Sequence, residues 1–345
     1  MEGDKLGLRI RDTLTGNLLP VPIGRGGEGE PLLRLYVCGV TPYDSGHMGH
    51  ASTFASFDIL VRYLEAQGVT VRYVQNVTDV DDPLFERANR DGLDWLVLAR
   101  AEQASFVDDM ASIGWRAPDA MPRVSEEIPQ ILTAISELAA AGFTYQTLEG
   151  TFFGVSRYPS FGFLSKRSRR SMLAKLRSEG LLGKVGEGHK HDPLDFPLWR
   201  PSGPGEPAWP SPFGEGRPGW HIECSAMARH HLGEQVEIHG GGRDLIYSHH
   251  ESERAQSESI TGQPFAKVWM HTGMVRLGGT KMSKSLGNLV VVKEALRKAS
   301  PAALRLYLAS HHYSSDWEFS WEGLERAGRW AKSAADLVAG RQFPA

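Results

Sequence analysis

The stretch LLRLYVCGVTPYDSGHMGHAST, residues 32–53, decides how the chain is read. Its first half is a short apolar run of strand-forming residues. Its second half sets glycines and two histidines ahead of FASFDILVRYLEAQG, residues 54–68, where apolar residues recur at helical spacing and Gly68 is suited to end the helix. VTVRYVQNV, residues 69–77, is the next strand. Strand, glycine-bearing turn, helix and strand within about forty residues form a βαβ unit, which implies a parallel sheet with a right-handed crossover. Ligands of such sheets bind beyond the carboxyl ends of the strands, where Cys38 and the histidines fall.

A chain of 345 residues is too long for one small core, so two domains or one large α/β unit with an insertion is expected. A formal net charge of −3 shows no global polyanion-binding surface, and any nucleic-acid contact is expected to be local. There is no signal-like apolar start and no long apolar run, so no membrane partner and a cytoplasmic location are expected. Two cysteines, Cys38 and Cys224, allow one disulfide; in a reducing compartment they are expected as buried thiols or metal ligands.

The remaining pattern divides the chain into four stretches. Residues 1–115 form the first half of a nucleotide-binding domain, with a glycine-rich surface loop at 24–29 and two later helices broken near Asp91–Gly92. Residues 116–195 form an inserted connective region: a helix at about 125–141, the hairpin TYQTLEGTFFGV (144–155), and the basic run SKRSRR (165–170), whose plain reading is a solvated helix face. Residues 196–275 form the second half, a Pro/Gly-rich loop leading to a helix at 222–232 and then a strand, glycine turn and helix in VEIHGGGRDLIYSHHESERAQSESITG (236–262). Residues 276–345 carry GGTKMSKSLGN (278–288) and then read as helical.

Three constellations carry chemistry. In HMGH, His47 and His50 lie three apart and share a helix face, and with Gly49 they stand at a helix N-terminus suited to a polyphosphate. In KMSKS, Lys281 and Lys284 are compact positive charges on a glycine-flanked loop able to close on departing pyrophosphate. Cys38 and Cys224, with His249, His250, Glu251 and Glu253 of SHHESE, supply two thiolates, an imidazole and a carboxylate, a tetrahedral zinc set. His249 and Glu253, four apart, share a helical face. Taken singly, each has a plainer reading as a surface histidine, a solvated lysine or a buried thiol.

The first two motifs together, in this order and some 230 residues apart, resemble the signatures of class I aminoacyl-tRNA synthetases and their relatives. The resemblance implies an α/β fold with a Rossmann-like nucleotide-binding parallel sheet, an inserted connective domain and a helical C-terminal segment. It also implies that a carboxylate attacks the α-phosphate of ATP, with Mg2+ an expected companion of the nucleotide. The cysteines resemble those of the cysteine-activating branch, in which Zn2+ takes the substrate thiolate. This implies Cys38, Cys224, His249 and Glu253 as metal ligands. By the same resemblance Thr41, Thr78, Trp220, His239 and Asp244 line the cysteine pocket, Asp244 holding the substrate ammonium.

Within that branch, GVTPYDSGHMGHAST, YVQNVTDVDDPLFERA, DGLDW and SSDWEFSW are similar to ligases of the mycothiol pathway, which join cysteine to the amine of glucosaminyl-inositol. Glu253, KVWMHTGMV and KMSKSLGN are similar instead to cysteinyl-tRNA synthetases, although the chain stops some sixty residues after Lys284, short of a long anticodon-binding region. The resulting expectation is a zinc- and ATP-dependent cysteine ligase acting on glucosaminyl-inositol. A short tRNA-charging enzyme and a non-catalytic paralogue that binds cysteine or ATP remain as alternatives.

Overall fold

The structure, a computed structural model, describes residues 6–43, 46–282 and 287–340. It divides into two compact units, one of residues 1–43, 68–99 and 118–270, the other of 44–67, 100–117 and 271–345.

The first unit is built on a sheet whose centre is the strand quoted above. Strand β1 (Arg9–Arg11) pairs antiparallel with β2 (Leu18–Pro20) as a separate hairpin, while β3 (Gly24–Arg25), β4 (Pro31–Val40) and β5 (Thr70–Val77) enter the main sheet. β4 runs parallel to β5, with Leu33 opposite Val71 and Tyr36 opposite Val74. It also runs parallel to β10 (Val236–Gly242), Leu35 facing Ile238, and β11 (Ala266–Thr272) lies beyond β10. Leu33, Leu35, Tyr36 and Val37 have no solvent exposure, as expected of a central strand covered on both faces. The expected parallel arrangement thus holds for the core, but the sheet is mixed: β3 pairs antiparallel with the start of β4. Only five residues join them, and a connection that short can make a hairpin but not a crossover.

β4 and β10 are also tied by charge. The buried carboxylate of Glu237 accepts from Arg34 Nε at 2.8 Å and Nη2 at 2.9 Å, and from Lys267 Nζ at 3.0 Å. The remaining strands of this unit form an antiparallel sheet in the order β6 (Thr144–Thr147), β7 (Gly150–Phe153), β8 (Phe196–Arg200) and β9 (Arg217–Pro218). The expected hairpin at 144–155 is its first pair.

Helices are numbered along the chain: α1 (Met48–Ala66), α2 (Asp82–Asp91), α3 (Trp95–Ser112), α4 (Ile128–Ala140), α5 (Arg169–Ser178), α6 (Trp220–Leu232) and α7 (Glu251–Thr261). In the first unit α6 packs on α4, α7, β4 and β5 through Ile222, Ala226, Met227 and Leu232. Each fully buried large side chain in such a core contributes about 1.5–3 kcal/mol. α2 is capped by Asp81 and ends at Gly92, the break expected from the sequence.

The second unit contains α1, which ends at Ala66 with Gly68 just beyond. It also holds α8 (Val292–Lys298), α9 (Pro301–Ala309) and α10 (Trp321–Ala339). Its buried Asp58 is bound by Arg62 Nε at 3.0 Å and by Arg305, fastening α1 to α9. The C-terminal stretch, expected as helical, also contains β14 (Trp317–Glu318), which lies parallel to β12 (Val275–Leu277). Two residues are too few to show a strand period, so the pairing is dictated by tertiary packing of Trp317 and Phe319 beside Tyr307.

Candidate functional site

In the first unit the carboxyl end of β4 is bent where it reaches Cys38. The β4–β5 register shifts between Val37 and Val40, a bulge that re-aims a side chain at the sheet edge. Gly39 permits it: a Cβ there would lie 1.8 Å from the carbonyl oxygen of Asn76, and Gly39 N donates to Asn76 Oδ1 at 2.8 Å. Asn76 Nδ2 in turn donates to Thr78 Oγ1 at 3.0 Å, and Thr78 N donates to Val40 O. Thr41 Oγ1 donates to Asp81 Oδ2 at 3.2 Å.

Cys38 from β4, Cys224 from α6, and His249 and Glu253 from the turn and first turns of α7 converge with all ligand atoms within 4.8 Å of one another. A second set meets the same limit, Cys38, His239, His250 and Glu253. Cys38 Sγ donates to Glu253 Oε1 at 3.3 Å and lies 3.6 Å from His239 Nε2. Glu253 Oε1 is 3.2 Å from His249 Nε2 and Oε2 is 3.3 Å from His239 Nε2, yet Oε2 forms no hydrogen bond. His221 Nδ1 contacts His249 Nδ1 at 3.0 Å, which fixes the ring and leaves Nε2 facing Glu253. Trp220, 41% exposed, stacks on His249 with centroids 4.2 Å apart. Both cysteines are buried and free, so the disulfide alternative is not formed.

Burial pushes the Cys38 thiol well up, helped by the neighbouring Cys224, and burial likewise raises Cys224. Burial lowers His249 to about 3. Burial opposes ionisation of Glu253, but His239, His249 and the Cys38 hydrogen bond outweigh it and hold the carboxyl below its usual range. The cluster therefore sets one buried carboxylate among thiols and imidazoles, an arrangement that a divalent cation would complete and whose thiols it would deprotonate.

The structure separates the other residues named for this pocket. His239 lies inside the cluster, stacked on Tyr36 and able to serve as a donor; Asp244 is exposed on the turn Arg243–Leu245. Glu251 faces elsewhere, accepting from Ser165 N at 2.7 Å. Sequence reasoning missed the second donor set because adjacent His249 and His250 point to different faces of a regular helix; here they sit in the irregular turn Ile246–His250, and both reach Glu253. It also missed Glu223, fully buried with neither oxygen hydrogen-bonded. Its carboxyl is raised well above the usual range by burial, then by Cys224, Asp81 and Asp79. Its place beside Cys224 in GWHIECSAM was the available signal.

In the second unit His47 caps α1. Its Nδ1 accepts from Gly49 N at 3.0 Å and His50 N at 3.4 Å, and its ring stacks on His50 at 3.9 Å. A Cβ on Gly49 would come within 2.8 Å of the His47 ring, so this cap requires glycine. Burial, then the charges of His47 and Lys281, pushes His50 well below its ordinary value, which makes it a neutral hydrogen-bonding group. Lys281 is exposed on β13 (Thr280–Lys281), which pairs with β12 across the two-residue turn Gly278–Gly279. Asn288 Nδ2 braces this strand, donating to Thr280 Oγ1 at 3.1 Å and Lys281 O at 3.2 Å. Lys284 lies outside the described residues. Among the described residues no helix is long and apolar enough to cross a membrane.

The family model for the catalytic domain of class I (C) tRNA synthetases matches residues 28–329. The chain is 50% identical over 322 residues to the L-cysteine:1D-myo-inositol 2-amino-2-deoxy-alpha-D-glucopyranoside ligase of Frankia alni, covering 92% of this chain and 77% of that protein. It is 46% identical over 321 residues to the cysteine–tRNA ligase of Aquifex aeolicus, covering 93% of this chain and 63% of that protein. The fold is similar to Mycobacterium tuberculosis methionyl-tRNA synthetase in complex with methionyl-adenylate, with a TM-score of 0.68 at 16% identity, over 91% of this chain and 74% of that one.

Proposed function

This chain belongs to the class I (C) tRNA synthetase catalytic-domain family, an ATP-dependent ligase family, and from that premise we propose that it activates cysteine and transfers it to the amine of glucosaminyl-inositol. The observation that carries the cysteine reading is the buried convergence of Cys38, Cys224, His249 and Glu253. These residues fit Zn2+: sulfur, nitrogen and oxygen donors of suitable number, and a buried carboxylate oxygen left without a hydrogen bond. Zn2+ bound there would favour a substrate thiolate over the hydroxyl of serine, a distinction that an apolar pocket makes only weakly.

In this reading the cysteine carboxylate oxygen attacks the α-phosphorus of ATP, and the bond to the bridging oxygen breaks to release pyrophosphate. The acceptor amine then attacks the carbonyl carbon, loses its proton and displaces AMP. The chain's own groups bind, orient and stabilise charge. His47 accepts the α1 amides through Nδ1, so its proton is held on Nε2, the atom that would donate to a phosphate oxygen. His50, kept neutral, donates without adding charge. Lys281, and Lys284 by its place in the motif, neutralise pyrophosphate as it leaves. Trp220 forms an apolar wall beside His249, while Thr41, Thr78, His239 and Asp244 are assigned to the amino acid by the family resemblance alone.

A second acceptor, tRNA, is favoured by the 46% identity to the Aquifex aeolicus cysteine–tRNA ligase and by Glu253 among the donors. One experiment separates the two. Zinc-loaded protein, ATP, Mg2+ and cysteine are incubated with glucosaminyl-inositol or with cysteine-accepting tRNA, and AMP release is followed. Turnover with the sugar amine alone is expected. Turnover with tRNA alone would overturn the acceptor, and cysteine binding without pyrophosphate release would overturn catalysis.

A further inference from the structure

A second group of metal-competent side chains lies in the first unit, at the far end of the helix that carries Cys224. Glu127 directly precedes α4, and His230 and His231 occupy the last turn of α6. His230 Nδ1 lies 2.8 Å from Glu127 Oε2, and His231 Nε2 lies 2.8 Å from Glu127 Oε1. All three ligand atoms fall within 4.8 Å of one another. Adjacent helical residues diverge, and they reach one point here because one ring uses Nδ1 and the other Nε2.

We propose that Glu127, His230 and His231 form a second metal site, one that takes a borderline divalent cation of the Zn2+ class with water completing its coordination. Two imidazoles and one carboxylate are a donor set for that class, and three protein ligands leave an open position. The side chain of Glu127 is 9% exposed, whereas those of His231 and His230 are 26% and 46% exposed, so the carboxylate is anchored and the imidazole side is open to an entering ion. The C-terminal carbonyls of α6 add a negative end-field that favours a cation. Cys224 is six residues from His230 along α6, about 9 Å of helical rise, so the two centres are separate. Metal here clamps the end of α6 to the start of α4, and so stiffens the helix that presents Cys224 to the buried cluster. The proposal does not depend on which acceptor the enzyme uses.

The test counts metal on the full chain. Protein stripped with a chelator is dialysed against micromolar Zn2+ and the bound metal is measured. Two equivalents are expected for the wild type, one for the H230A/H231A double variant, and one for Cys224→Ala, which keeps the outer site. A milder pair, H230Q/H231Q, should also bind one equivalent. With Co2+, the outer equivalent should add ligand-field absorption without a thiolate charge-transfer band, and H230A/H231A should lose only that component. In the Cys224→Ala background Zn2+ should raise the melting temperature by several degrees, and removal of both histidines should abolish the rise. One equivalent in the wild type, or two retained in H230A/H231A, would overturn the proposal.

Discussion

Asp81→Asn should stabilise the protein at neutral pH, by an amount that the structure sets. Asp81 caps α2, accepting from Asp82 N at 3.0 Å, and also accepts from Thr41 Oγ1 at 3.2 Å. Burial, then the charge of Asp82, raises its carboxyl from 3.8 to about 6. The folded protein therefore holds this proton to higher pH than the unfolded chain does, and stability falls as pH rises between those two values. The full displacement corresponds to about 3 kcal/mol, reached near pH 7, with about 1.5 kcal/mol already present at pH 5 and almost none at pH 3. Asparagine keeps the cap acceptor and the size while removing the charge. Urea unfolding of zinc-loaded wild type and variant at pH 5, 6 and 7 should show a gain of up to about 3 kcal/mol that shrinks toward pH 5. The metal's own pH dependence cancels in the difference. A variant less stable than wild type at pH 7, or a gain that grows toward acid, would refute the electrostatic argument.

Gly39→Ala sets a Cβ against the Asn76 carbonyl and should cost about 3 kcal/mol or more, with loss of bound zinc, read by thermal melting and metal content. Cys224→Ala should remove metal from the buried cluster and discrimination against serine together; pyrophosphate exchange that still rejects serine would contradict the pocket. Lys281→Ala should slow exchange at least about tenfold with zinc content unchanged, since one charge at the phosphates is worth a few kcal/mol of barrier. Glu223→Gln should leave the fold at least as stable as wild type at pH 7, because the folded state must keep a proton on this buried carboxyl that the unfolded chain releases, and a neutral amide removes that cost.

The parallel sheet core, the helix after HMGH and the break at Gly92 were legible because each rests on local periodicity or on a residue type with one favoured backbone role. The signature motifs were legible for a related reason, since Gly49 beside His47 and the glycines before KMSKS are demanded by close approach and tight turns within a few residues. β14 escaped notice because two residues carry no period, and β3 because its pairing depends on the turn that returns it to β4. The metal-competent cluster lay between these cases. The sequence by itself named Cys38, Cys224, His249 and Glu253, from residue types and a family resemblance, but it held no distances. Only the tertiary structure brought the bulged strand end of Cys38 and, some two hundred residues on, a helix and an irregular turn to within 4.8 Å, and it turned His239, expected only beside the pocket, into a competing donor with His250. Local rules act over a turn or a strand pair, whereas a buried ligand set is a property of packing. Its members are chosen by which side chains the core leaves facing one another, and that is decided when the elements assemble.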